Sequence, residues 1–194
     1  MASLRRSFYR RDSVELAPLL LNKLLVCGER VGRIVEVEAY AGEMDPGSHA
    51  YRGRTRRNAT MFGPPGHLYV YFTYGMHFCS NVVCGEDGEA RAVLLRGLTP
   101  LSGLDEMRAA RLRARTEADL CSGPGKLTQA LGIGREHDGA DLVSGDRGVT
   151  VVDDGVPPPA RPGVSTRIGL NPGAGDDVLW RFYVPGAVGL SRRG

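Results

Sequence analysis

Two neighbouring runs of β-forming residues constrain the fold of this chain more than any other feature. Leu68–Thr73 and Met76–Val83 are rich in aromatic and β-branched residues, and only Tyr74-Gly75 separates them. A connection this short has to reverse the chain, so the two runs predict a β-hairpin. Alternation divides the first strand between two faces, with Tyr69, Tyr71 and Thr73 on one and Leu68, Val70 and Phe72 on the other.

Four further segments have the length and composition of strands, namely Lys23–Cys27, Gly32–Tyr40, Ala92–Leu95 and Leu179–Val184. Within the second of them, the sequence RIVEVEAY alternates between charged and apolar residues. Alternation there predicts one face with Ile34, Glu36 and Glu38 and an opposite face with Val35, Val37 and Ala39.

Three helices are expected around these strands, from Asp12 or Ser13 to about Leu21, from Ser102 to about Arg115, and from about Pro124 to Leu131. The second depends on a capping box of Ser102 with Asp105. Strands joined mostly by turns, with helices around them, indicate an α+β fold on a curved antiparallel sheet with a protruding β-hairpin. The 194 residues are enough for a single domain spanning 1–194, with 1–11 and 187–194 expected as flexible tails.

Charge is unevenly distributed along the chain. The segment Pro46–Gly85 has no Asp or Glu, yet it holds three of the four histidines and seven of the thirteen aromatic residues. Its arginines are Arg52, Arg54, Arg56 and Arg57. Basic and aromatic side chains without acids suit a polyanion that carries flat rings, such as a nucleic acid. A β-rich core segment beside a solvated arginine loop accounts for the composition equally well.

Lys126 is a candidate phosphate contact outside that segment. It follows Ser122-Gly123-Pro124-Gly125 at a predicted helix start, where free backbone N–H groups and the helix dipole attract anions. An ordinary capped helix with a solvated lysine is an equally good interpretation.

Several classes of protein are disfavoured by what the sequence lacks. No stretch approaches 18 apolar residues, so a transmembrane helix is excluded, and the four cysteines include no C-x-x-C pair. Reduced thiols in a cytoplasmic protein without membrane association are the simplest interpretation. His77, Cys79 and Cys84 have a spacing that matches no common zinc site, so we expect no metal. P-loop and G-x-S-x-G motifs are absent.

Glu38 is the strongest candidate for chemistry, because it lies at the end of a strand and is followed by an aromatic residue and a loop. Glu36, on the same face, is expected to form an ion pair with an arginine. Two residues that are two apart on one strand cannot flank a glycosidic bond, which argues against an ordinary two-carboxylate glycosidase.

Six blocks of the sequence, in order, resemble the alkyladenine (3-methyladenine, methylpurine) DNA glycosylase family. They are RIVEVEAY (33–40), RNATMF (57–62), LYVYFTYGMHFCSN (68–81), LLRGLTPLSGL (94–104), CSGPGKL (121–127) and RFYV (181–184). The resemblance extends from about Ala17 to Val184. It implies a monofunctional glycosylase that flips alkylated or deaminated purines out of duplex DNA and hydrolyses their N-glycosidic bond, which starts base excision repair.

The resemblance also implies the catalytic groups. Glu38 would be the general base that activates the attacking water, and Arg96 would hold that water and the carboxylate. No cofactor is implied. Without Glu38 and Arg96 the same residues would suit a non-catalytic nucleic-acid-binding module, which is the alternative function.

The base pocket implied by the resemblance is formed by four residues. Tyr40 and Tyr71 would stack on the two faces of the flipped base, and His49 would lie in the same pocket with its backbone N–H facing the purine. Asn81 would crowd the 2-position, where guanine carries an amino group.

The implied partner is double-stranded DNA that contains a damaged purine. The protein is expected to be a monomer in the cytoplasm, associated with the nucleoid. Tyr74 would wedge into the duplex at the hairpin tip, with Met76 and His77 beside it in the minor groove. The expected phosphate contacts are Arg52, Arg54, Arg56, Arg57 and Lys126. Two positions depart from the family pattern: His77 replaces a frequent aromatic residue, and Gly125 replaces a small hydroxyl residue.

Overall fold

The computed structural model describes residues 2–73 and 75–192, which form an antiparallel sheet with helices around it. The strands are β1 (Ala2–Ser3), β2 (Leu24–Cys27), β3 (Arg30–Tyr40), β4 (His67–Thr73), β5 (His77–Cys84), β6 (Arg91–Ser102), β7 (Ala140–Asp141), β8 (Val149–Asp153), β9 (Gly163–Ser165) and β10 (Arg181–Tyr183). The helices are α1 (Arg6–Tyr9), α2 (Ser13–Leu20), α3 (Leu104–Ala110), α4 (Glu117–Leu120) and α5 (Pro124–Leu131). The predicted α+β fold on a curved antiparallel sheet is confirmed. None of the described helices combines the length and the apolar composition needed to span a membrane.

β3 is the strand that positions the candidate site. The main order of the sheet is β1-β8-β2-β3-β6-β5-β4-β7, and β10 pairs with the second half of β3 and with β9. Glu38 therefore lies between Leu94 on β6 and Arg181 on β10.

A bulge interrupts the pairing of β3 with β6. Ile34 is opposite Leu98 and Glu36 is opposite Gly97, and a second register shift follows directly after Glu36. A bulge changes the face to which neighbouring side chains point. Ile34 consequently packs in the same buried core as Val37, so its predicted place on the face of Glu36 is wrong.

The main hydrophobic core lies where α2 and α5 pack against the sheet. Leu16 and Leu20 of α2 and Leu127 of α5 are fully buried there against Val37 and Leu95 of the sheet. The observed bounds of both helices agree closely with the prediction, and the Asp12 side chain caps α2 by accepting a hydrogen bond from Val14 N–H.

β6 is much longer than the predicted strand Ala92–Leu95. Gly97 and Pro100 both lie at register shifts, where a strand tolerates residues that weaken its ladder. Ser102 is therefore the last residue of β6, and the predicted capping box is wrong. Gly103, with φ of 71°, precedes α3, which ends at Ala110 instead of near Arg115.

The hairpin β4–β5 is confirmed, but its connection is longer than two residues. Thr73 is paired with His77, so residues 74–76 connect the strands and Met76 is not part of β5. The last strand, β10, is confined to Arg181–Tyr183 within the predicted range Leu179–Val184.

Residues 2–11 do not form the flexible tail that we expected. β1 pairs with β8, and Tyr9 on α1 is fully buried. The segment 187–192 also contacts the sheet, because Thr99 Oγ1 donates to the Val188 carbonyl and Ser191 donates to Glu36. Both segments are held by specific tertiary contacts.

Candidate active site

A cavity of about 220 Å³ opens beside Glu38. The Glu38 carboxyl does not itself line the cavity, but it is bonded to three residues that do, namely Tyr40, Arg96 and Ile168. The cavity walls come from β3 to β6 and from two loops, around residues 47–49 and 168–170. Five of the predicted site residues line it, namely Tyr40, His49, Tyr71, Asn81 and Arg96. The structure thus brings together residues that are up to 56 positions apart in the sequence.

One wall of the cavity is aromatic. Tyr69 and Tyr71 stack with ring centroids 5.4 Å apart and planes inclined by 29°, and His49 meets Tyr71 edge-on at 4.4 Å. The His49 Nδ1 atom lies 3.2 Å from the Tyr69 hydroxyl. Burial lowers the pKa of His49, and the nearby Arg57 lowers it further, so its imidazole is neutral at neutral pH. A flat, cationic ligand would meet aromatic faces and a neutral imidazole on this wall.

The Glu38 carboxyl is completely buried and accepts three hydrogen bonds. Its Oε1 accepts from Ile168 N–H at 2.7 Å, and its Oε2 accepts from the Tyr40 hydroxyl at 3.0 Å and from Arg96 Nη1 at 3.3 Å. Burial raises the pKa of Glu38, whereas these three donors lower it and thereby moderate the rise. A carboxylate with a raised pKa is a stronger base than a solvated one.

Arg96 is shared between two buried carboxylates. Its Nε lies 3.3 Å from Glu36 Oε1, and its Nη1 lies 3.3 Å from Glu38 Oε2. Glu36 also pairs with Arg181, whose Nε is 2.7 Å from Glu36 Oε1, so the expected ion pair of Glu36 with an arginine is confirmed. All four side chains are buried, and two positive charges compensate two negative ones.

Tyr40 is held beside the cavity by Arg167. The guanidinium carbon of Arg167 lies 4.7 Å from the centroid of the Tyr40 ring and 5.1 Å from that of Trp180. Arg167 is itself buried and paired with Asp45 through two bonds of 2.5 and 2.8 Å. Burial and the neighbouring Glu38 raise the pKa of Tyr40 well above its usual value, so its hydroxyl remains a donor.

Asn81 is buried on β5, opposite Tyr69 on β4 and Leu94 on β6. Its Nδ2 donates to the Tyr69 carbonyl at 3.4 Å, which holds the amide against the cavity wall. Any ligand that stacks on Tyr71 therefore approaches a buried polar group at this position.

Comparison with known proteins identifies the family of the chain. The family model described as "Methylpurine-DNA glycosylase (MPG)" matches residues 7–188. The chain belongs to the methylpurine-DNA glycosylase family. It is therefore a DNA-3-methyladenine glycosylase, a DNA-repair hydrolase that acts on the N-glycosyl bonds of alkylated bases.

Similar proteins occur in several bacteria, all named "Putative 3-methyladenine DNA glycosylase". One from Burkholderia cenocepacia (strain HI2424) is 58% identical over 182 residues, which cover 93% of this chain and 87% of the relative. One from Streptomyces avermitilis is 46% identical over 186 residues, with 93% of this chain and 87% of the relative covered. One from Carboxydothermus hydrogenoformans is 46% identical over 199 residues, with 98% and 99% covered.

The hairpin tip of this methylpurine-DNA glycosylase is solvent-exposed at residues 75–77. Tyr74, the expected wedge, lies outside the described residues. Met76 is 72% exposed, and His77 is exposed as well. A Cβ on Gly125 would lie 2.9 Å from the His77 Cβ, so the two departures from the family pattern are in contact. Glycine at position 125 leaves the room that the His77 ring occupies.

The four arginines expected to meet phosphates, Arg52, Arg54, Arg56 and Arg57, are exposed, and none of them forms an ion pair within residues 2–73 and 75–192. Arg57 Nη2 donates to the Phe72 carbonyl at 3.1 Å, and its guanidinium lies 5.8 Å from the Tyr71 ring centroid. Lys126 differs, because its ammonium pairs with Asp119 and lies 3.2 Å from Ser122 Oγ. A phosphate at Lys126 would have to compete with that carboxylate.

The cysteines near the hairpin lie on opposite faces of β5. Cys79 lines the cavity, whereas Cys84 is buried in the main core. Among the described residues, no group of three or more His, Cys, Asp or Glu side chains is placed to hold a metal ion. All four cysteines have free thiols.

Several residues around the cavity were not predicted from the sequence. The sequence did indicate Tyr69, because strand alternation puts it on the same face as Tyr71. Nothing in the sequence indicates Ile168, since it contacts Glu38 through its backbone N–H. The pairing of Arg167 with Asp45 and the contact of Ser191 with Glu36 join distant segments that show no local pattern.

Proposed function

We propose that this glycosylase flips an alkylated or deaminated purine out of duplex DNA into the cavity and hydrolyses its N-glycosidic bond with a water activated by Glu38. The substrate class comprises 3-methyladenine, 7-methylguanine, hypoxanthine and ethenoadenine. The supporting observation is a buried carboxylate that accepts hydrogen bonds from Arg96, Tyr40 and Ile168, three residues that line a cavity with an aromatic wall.

Glu38 has the environment of a general base. A carboxylate offers about four acceptor positions, and three donors occupy Glu38, which leaves one acceptor position for the attacking water. Arg96 favours the ionised form that proton abstraction requires, while burial keeps the basicity high. Alkylation at N3 or N7 makes the purine cationic and a good leaving group, so one carboxylate suffices for alkylated bases.

Selectivity arises before the bond is broken. Flipping a base costs a few kcal/mol, and least for a damaged or mispaired one. Stacking between Tyr40 and Tyr71 would return about 1–3 kcal/mol per base, with an additional cation–π attraction for alkylated purines. The neutral His49 avoids repulsion of a cationic base. Asn81, held on the cavity wall, would clash with the 2-amino group of guanine.

Binding to duplex DNA would use the exposed surface next to the cavity. Tyr74 would fill the space that the flipped base leaves, with Met76 and His77 in the minor groove. Arg52–Arg57 and, after displacement of Asp119, Lys126 would contact phosphates. The protein would act as a monomer on the nucleoid in the cytoplasm.

Detection of abasic sites in methylated duplex DNA tests this function. We expect strand cleavage after alkali treatment with the wild-type protein and very little with Glu38→Gln, although both proteins bind the duplex. Family membership already favours an enzyme over a non-catalytic binding module. Equal release of 3-methyladenine by both proteins would contradict the proposed role of Glu38.

A further inference from the structure

Glu36 is a buried carboxylate that the proposed chemistry does not use. It is fully inaccessible to solvent, and only part of its hydrogen bonding comes from arginine. Ser191 N–H donates to Glu36 Oε2 at 2.5 Å, and Ser191 Oγ donates to Oε1 at 2.7 Å. Thus a residue 155 positions away supplies two of the donors that compensate this buried charge.

The segment Val188–Arg192 is seated on β6 by a close approach of two backbones. Gly189 has a φ of 96°, and a Cβ there would collide with the Leu98 carbonyl oxygen. A Cβ on Gly97 would lie 2.5 Å from the Gly189 carbonyl oxygen. Glycine on both sides of the contact is therefore required for Ser191 to reach Glu36.

Polar contacts hold the same segment at both ends. Thr99 Oγ1 donates to the Val188 carbonyl at 2.6 Å, and Arg181 Nη2 donates to the Arg192 carbonyl at 2.8 Å. The family model matches residues 7–188, so Ser191 lies outside the matched part of the chain.

Arg96 links this segment to the proposed base. It lies 3.3 Å from both Glu36 and Glu38, and its Nη2 lies 3.4 Å from Ser191 Oγ. Two carboxylates at equal distance compete for one guanidinium. The more completely other donors satisfy Glu36, the more of the attraction of Arg96 is available to Glu38.

We infer that Val188–Arg192 is a positioning segment for catalysis: Ser191 satisfies Glu36 and thereby keeps Arg96 paired with Glu38. This inference rests on the proposed role of Glu38 as the general base. Ser191 is a positioning residue, since it touches neither the cavity nor the reacting atoms.

Displacing the segment Val188–Arg192 should destabilise the ionised form of Glu38. The titratable and charged groups around its carboxyl are Arg96 on β6, Glu36 and Tyr40 on β3, and Tyr71 on β4. Without Ser191, Arg96 moves toward Glu36, and the loss of a nearby positive charge raises the pKa of Glu38 further. The midpoint of the acid limb in the pH profile of the excision rate should move to higher pH as well.

Gly189→Ala tests the inference, with Gly186→Ala as its matched control. Both glycines have positive φ, at 96° and 74°, but a Cβ on Gly186 meets no atom within 4 Å. Both variants therefore carry the same kind of backbone strain, and only Gly189→Ala displaces the segment. Ser191→Ala removes one donor without strain, and Ser191→Thr restores a hydroxyl.

Two measurements are made on each variant: the single-turnover excision rate against pH on methylated duplex, and the ¹³C NMR titration of the Glu38 carboxyl. We expect Gly189→Ala to shift both midpoints upward by about one pH unit, which is about tenfold in rate on the acid limb. Ser191→Ala should shift both midpoints less, and Ser191→Thr and Gly186→Ala should match the wild type.

The inference is overturned if the Glu38 titration in both Gly189→Ala and Ser191→Ala coincides with that of Gly186→Ala. If the NMR midpoint moves and the excision profile does not, the segment positions Arg96 as inferred and Glu38 is not the general base. The NMR titration thus separates a failure of the inference from a failure of the proposed function.

Discussion

Replacing Glu38 by Gln is the change that best separates chemistry from folding. Gln has the same shape, and its oxygen can still accept hydrogen bonds from Tyr40 and Arg96, although its amide nitrogen cannot accept from Ile168 N–H. Gln cannot take a proton from water. Loss of a positioned general base lowers the rate by about 10²–10⁴-fold. At about 1.36 kcal/mol per tenfold, the barrier rises by about 3–5 kcal/mol.

Stability should respond in the opposite way at the two glutamates. The pKa of Glu38 is raised in the folded protein, so folding loses stability as the pH rises from the ordinary pKa of glutamate through the raised one. Glu38→Gln removes that loss and leaves Arg96 paired with Glu36, which offsets the bond lost at Ile168 N–H, so the variant should be about as stable as the wild type at neutral pH. Glu36→Gln deprives Arg181 and Ser191 of their acceptor charge, and breaking such a buried pair costs about 3–5 kcal/mol.

The assay compares the two variants with the wild type in parallel. Release of 3-methyladenine from methylated duplex is followed under single-turnover conditions, and thermal unfolding is followed by circular dichroism. We expect Glu38→Gln to lose activity with a nearly unchanged Tm, and Glu36→Gln to lose about 6–20 °C in Tm. Near-normal excision by Glu38→Gln, together with an inactive but thermally stable Glu36→Gln, would refute the reasoning.

Three other predictions concern contacts with DNA. The plot of log K against log salt concentration for duplex binding should have a slope of about −3 to −4, because Arg52–Arg57 would neutralise about four phosphates. A slope near zero would mean that this segment does not contact the phosphates. Asn81→Ser should open space for a 2-amino group and raise excision of guanine relative to hypoxanthine, measured on paired duplexes; an unchanged ratio would argue against steric exclusion. Tyr74→Ser should fold normally and lose more activity on a fully paired duplex than on one with an already extrahelical lesion; equal losses on both substrates would mean that Tyr74 does not hold the flipped state.

Local patterns predicted much of the fold and singled out Glu38, whereas the other residues of the site were implied by the resemblance to the glycosylase family. The hairpin, the capped helix α2 and the helix α5 depend on alternation, capping and proline placement, which are properties of neighbouring residues. Glu38 was recognised from its position at a strand end, and the pairing of Glu36 with an arginine was expected. β6 was underestimated because Gly97 and Pro100 weaken a strand unless bulges accommodate them, and the partner strand decides where bulges lie.

The sequence by itself determined which chemistry is present: aromatic faces, one carboxylate at a strand end, and an arginine that can serve it. Tertiary structure alone decided which groups surround the Glu38 carboxylate and shift its pKa. Ile168 N–H reaches Glu38 across 130 residues, and Ser191 reaches Glu36 across 155. A backbone N–H leaves no signature in residue type, and the sharing of Arg96 between two carboxylates depends on distances that only the packed sheet sets.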